Sequence, residues 1–177
     1  MSFNNNLGLP DNYMTSNNSI ISYGEIDFYC IFDRTQADVD RVEYLTRVIL
    51  AHENTEEEFE EYQQDLKGAL NYSDLERIEN NITLLASWIG LPLEDMSRNV
   101  IPRIPYFINL LENVKIIRES PYHYTSSPQV PDMPLNTYQK INDIERILYN
   151  AYWMWLKTTG AFYYCGDELY ADGLGLI

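Results

Sequence analysis

Residues 71–89, NYSDLERIENNITLLASWI, decide how the chain is read. Leu75, Ile78, Ile82, Leu85 and Ile89 recur in alternating steps of three and four, which places one apolar stripe on an α-helix. Ser73 and Glu76 stand at capping-box spacing ahead of that stripe, and Gly90 and Pro92 end it. Its opening, Asp74-Leu75-Glu76-Arg77-Ile78, has two counterparts: Asp38-Val39-Asp40-Arg41-Val42 and Asp143-Ile144-Glu145-Arg146-Ile147. Acids two apart fall on different faces of a helix, so the pattern is not a carboxylate pair for acid-base chemistry. An acid and an arginine three apart do meet, with the acid toward the helix start, but each exposed pair contributes only about 0.5 kcal/mol at most. The reading that accounts for three copies gives Arg41, Arg77 and Arg146 a structural task, forking onto carbonyls or carboxylates of another helix or subunit.

Further helices follow by the same logic. Thr35 caps a helix through Val39, Val42, Leu45 and Ile49, and Thr55 with Glu58 caps an acidic outer helix whose inner face is Phe59, Tyr62 and Leu66. Pro102 and Pro105 lead into a stripe of Phe107, Leu110, Leu111, Val114 and Ile117. Leu135-Asn136-Thr137 opens the last helix, with Ile141, Ile144, Leu148, Ala151 and Trp155 inward and Gly160 as its expected end. The fold class expected is mainly α, a bundle of about five helices near 35–50, 55–67, 73–89, 104–118 and 137–158, with short strand-like terminal segments. Around Gly24, SIISYGEIDFYCIF alternates like a strand. Residues 1–20, rich in Asn and Ser, read as an extended arm. Residues 21–160 read as the helical domain, with a proline-rich strut near 120–135, and 161–177 as an extended tail.

Composition narrows the function. Twelve Lys and Arg against 27 Asp and Glu give a net charge of −15, which repels phosphate backbones and argues against nucleic acid. No apolar run approaches the roughly 20 residues of a membrane span, and the start lacks the basic and apolar regions of a signal peptide, so synthesis in the cytoplasm is expected. Cys30 and Cys165 lack metal-ligand spacing and are expected as free thiols; no cofactor or metal is expected. The acidic run Glu56–Glu61 has neither the glycine nor the alternating ligands of a calcium loop. His52 and His123 stand outside any motif, and no nucleophile elbow, zinc-protease or phosphate-loop pattern occurs, so no catalytic residue is expected.

The segments DRTQADVDRVEYL (33–45), KGALNYSDLERIENNITLLASWI (67–89), IPRIPYFINLLENV (101–114), PLNTYQKINDIERIL (134–148) and YYCGDELYADG (163–173) together resemble small structural proteins encoded in the tail and baseplate gene region of phages, prophages and phage-tail-like bacteriocins of Gram-positive bacteria. That resemblance implies a non-enzymatic virion subunit, an adaptor or tail-fibre attachment protein near the tail tip, present in several copies beside other tail or baseplate proteins. Tyr152, Trp153, Trp155, Phe162, Tyr163, Tyr164 and Leu169 concentrate flat or apolar side chains near the C-terminus. They are expected at subunit interfaces, where Tyr and Trp are common anchors. The alternatives are a glycan- or receptor-binding module that stacks sugars on the same rings and, less favoured, a cell-wall hydrolase.

Overall fold

The computed structural model describes residues 20–23, 26–97 and 102–168, with side chains described for 28–97 and 102–159. It is mainly helical, as expected: a β-hairpin, β1 (Ile20–Tyr23) and β2 (Ile26–Tyr29), precedes α1 (Gln36–Ala51), α2 (Glu56–Tyr62), α3 (Tyr72–Ile89), α4 (Ile104–Arg118) and α5 (Tyr138–Glu168). The stretch expected as one strand forms two, paired antiparallel with Ile20 opposite Tyr29 and Tyr23 opposite Ile26.

Helices α3, α4 and α5 pack on one another, with β2 against α3. Their stripes form the core: Leu75, Ile78, Ile82 and Leu85 from α3, Leu110, Leu111, Val114 and Ile117 from α4, and Ile141, Ile144, Ile147, Leu148 and Tyr152 from α5. Phe28 and Cys30 add the inward side of β2 and the chain that leaves it, two residues apart as strand alternation requires. No described helix is long and apolar enough to cross a membrane.

The caps at Thr35 and Thr55 form as expected, each with its acid three residues on, Asp38 and Glu58. At α3 the cap is Asn71 rather than Ser73: the Asn71 N–H donates to Asp74 Oδ2 at 3.0 Å, and the Ser73 hydroxyl turns away to Asp65. An Asp that reaches back to the cap serves as well as a Glu, so the start moves by two residues. Gly90 ends α3 in the left-handed region, φ +78°.

Two expectations need correction. Gly160 does not stop α5, which runs on to Glu168, so residues 161–168 are helical and not an extended tail. A lone glycine costs a helix only about 1 kcal/mol, and no proline follows it. Phe162, Tyr163 and Tyr164 therefore lie on helix; Leu169, the rest of the tail and residues 1–19 of the arm lie outside the described residues. The proline-rich strut is tied along the body: Arg118 donates to the carbonyls of Ser127 and Pro128, Asn150 to the buried Ser127 hydroxyl, and Lys140 Nζ to the carbonyls of Asp132 and Pro134 at 2.8 and 2.9 Å. Finally, α2 has no buried residue, and its expected inner residues Phe59 and Tyr62 are exposed.

Candidate functional site

The chain leaving β2 is held by side chains in place of a third strand. Asn81 of α3 donates to the Tyr29 carbonyl at 2.7 Å, and the Ile31 N–H donates to Glu145 Oε2 of α5 at 2.6 Å. Three residues further on, Arg34 enters the interior with its side chain only 3% exposed.

There it meets Asp74, Arg77 and Glu145 in a closed quartet of two cations and two anions. Arg34 bridges Asp74 Oδ1 at 2.8 Å and Glu145 Oε1 at 3.0 Å; Arg77 bridges the same two oxygens at 2.6 and 2.7 Å. Arg77 Nε donates to Glu145 Oε2 at 3.1 Å, and Asp74 Oδ2 accepts from both Asn71 nitrogens. Each of the four carboxylate oxygens thus accepts two hydrogen bonds, the condition under which buried charge is tolerable. Burial alone would raise the Asp74 pKa, but the Asn71 N–H and the guanidiniums of Arg77 and Arg34 outweigh it, so its carboxyl lies below the ordinary range. Arg77 loses solvation too, yet its bonds to Glu145 and Asp74 raise its pKa overall. Cys30, beside this site, has its thiol pushed well up by burial and by the charge of Glu145, so it stays protonated.

The three repeated arginines have three different environments. Arg77 is the buried one. Arg41 forks onto Glu61 at the surface, at 3.0 and 2.6 Å, joining α1 to α2, while its expected partner Asp38 caps α1. Arg146 lies over the Phe32 ring, 5.4 Å from its centroid; burial raises the Asp143 pKa and the charge of Arg146 partly offsets that. Each arginine joins elements of its own chain.

Among the aromatic candidates, Tyr152, Trp153 and Trp155 also turn inward. Tyr152 is 1% exposed and stacks on Phe28 with centroids 4.5 Å apart, and Trp155 stacks on Trp88 at 5.0 Å. Trp153 is half-buried against Tyr149 and Tyr152. Tyr152 is therefore core, not an interface anchor, and its ring is closed to a sugar as well. Tyr152 and Trp155 both reach Trp88 of α3, whereas Trp153 packs on its own helix.

Sequence reasoning missed Arg34 and Asn81 altogether, and singled out Arg146 where Glu145 is the buried member. Glu145 stands four residues after Ile141 and three before Leu148, on the border of the apolar stripe, and that position was its signal. Arg34 carries no such signal, because it belongs to a connecting segment without periodicity.

Beside the quartet, a cavity of about 460 Å³ opens between the starts of α1 and α5 and the 68–70 loop, with Arg34 the one charged residue in its lining. Among the described residues no three His, Cys, Asp or Glu side chains are grouped to hold a metal ion. Compared with known proteins, the chain matches no family model, no curated protein and no solved structure.

Proposed function

We propose that this chain is a non-enzymatic structural subunit of a phage tail tip or baseplate, or of a related tail-like particle, acting there as an adaptor or attachment protein. The observation that carries this reading is how the buried charge is used. The residues that could perform chemistry in the interior, Asp74 and Glu145, are fully engaged in joining β2, α3 and α5. Each repeated arginine thus joins elements of its own chain, a structural use that supports the non-enzymatic subunit implied by the resemblance to tail and baseplate proteins. The other proteins of the particle are its partners, and it is made in the bacterial cytoplasm before assembly.

The test is mass spectrometry of purified particles from the bacterium that encodes the chain, together with deletion of its gene. A fixed copy number in wild-type particles, and defective particles without it, are the expected results. Particles that lack the chain and assemble and infect normally would overturn the reading. Removing residues 1–20 refines the test: the expected product keeps its helical circular dichroism but fails to enter particles. Glycan-array binding by the isolated protein would favour the sugar-binding alternative.

A further inference from the structure

Helix α1 differs from the other long helices in how little it buries. Of its 16 residues only Leu45 is buried, whereas α3 buries eight of 18. Isolated helices of this length are marginal in water and owe their stability to packing of an apolar face. α2 covers one side of α1 through Arg41–Glu61 and Tyr44–Glu58. Roughly opposite that side, Val42, Thr46 and Leu50 lie four residues apart on one ridge, and Leu50 is 77% exposed.

Glu43 and Arg47 flank this ridge on a single side. Among the described residues neither joins an ion pair, although Arg47 lies over the Tyr44 ring. The strip is therefore neutral in a chain of net charge −15, and most of the remaining surface would repel a second copy.

We propose that this strip of α1 is a homodimer interface, in which α1 packs antiparallel on α1 of a second copy across a two-fold axis at Thr46. The charges select the arrangement. A two-fold axis perpendicular to the helices keeps each flank on its own side and reverses its direction. Val42 then stands opposite Leu50 of the partner, and small Thr46 meets its own copy at the crossing, where ridges four apart interdigitate. Glu43 comes alongside Arg47 of the partner, offset by two residues, about 3 Å along the axis, and this attractive pair forms twice against a single Arg47–Arg47 approach at the same offset. A parallel dimer would place the same two side chains on opposite flanks, where they cannot meet. The proposal does not depend on the particle reading above, since it concerns the isolated protein.

The experiment is sedimentation of the full chain and of Glu43→Arg, Arg47→Glu and the doubly substituted chain, with circular dichroism to confirm that these exposed changes leave the helices intact. Wild type is expected to dimerise. Each single variant sets like charges together twice and should dimerise at least about tenfold more weakly. An equimolar mixture of the two single variants should recover a heterodimer, and the double variant a homodimer, because both restore opposite charges at both positions. A monomeric wild type, single variants that dimerise like wild type, or a mixture that stays monomeric would each overturn the proposal. Leu50→Glu, which leaves both charges in place, should also give monomer; if it dimerises like wild type, the apolar ridge is not the contact.

Discussion

Glu145 has no exposed surface, and the fold tolerates an acidic side chain there because Arg34, Arg77 and the Ile31 N–H surround it. Removing one member strands the others. Arg77→Ala should cost about 3–5 kcal/mol in chemical denaturation. Arg41→Ala, which breaks a surface pair, should cost less than about 1 kcal/mol, so a comparable loss for both would refute the distinction. Asp74 sets an acid limit. Its folded pKa is depressed, so its contribution is complete above the unfolded value of about 3.9 and is lost as pH falls from there through the folded value. Denaturation midpoints should fall below pH about 4, and Asp74→Asn should flatten that fall. Cys30, buried and held protonated, should resist alkylation at neutral pH until denaturant is added, as read by peptide mass spectrometry. Of these residues Asp74 and Arg77 were legible, because the pattern repeats around them. Arg34 was not, because nothing local distinguishes a charged residue that will be buried by partners 40 and 111 positions away.

Among the elements, those whose stripes meet each other were legible to within a residue or two: α3, α4 and the first five turns of α5. Periodicity reports a face that some surface will cover, and in these three helices the cover is another helix of the same chain. The same signal in α1, Val39, Val42, Leu45 and Ile49, announced a buried face of which only Leu45 is buried. Periodicity cannot say whose surface does the covering. Two glycines, the α3 cap and one in the loop before α3, give separable outcomes. At Gly90 an added Cβ meets open space, so Gly90→Ala should cost only the left-handed strain, about 1 kcal/mol. At Gly68 a Cβ would fall 2.1 Å from the Asp38 carbonyl oxygen, so Gly68→Ala must push the first turn of α1 away from the 66–70 loop. That should cost about 1–3 kcal/mol and speed amide exchange in α1 and α2 more than in α4. Uniform exchange across all five helices would show that α1 and α2 are not a separable unit.

On the scale of the whole molecule, the helical class was evident early because five stripes and their caps agree. What packs on what was not, since the strut and the chain leaving the β-hairpin are placed by side-chain hydrogen bonds donated by Arg118, Lys140, Asn150 and Asn81 and by the Ile31 N–H donating to Glu145. The quartet has a bearing on synthesis. Arg34 and Arg77 emerge from the ribosome long before Glu145, and until it arrives two cations share one buried-site acid, Asp74. The core faces of α3 and α4 wait for the same segment, because Ile141, Ile144, Leu148 and Tyr152 complete them. A nascent chain ending before Tyr138 should therefore remain protease-sensitive, and resistance should appear only after the first turns of α5 have cleared the exit tunnel. Helix α5 is what closes the described core, so folding can begin to hold only once its first turns are outside the tunnel.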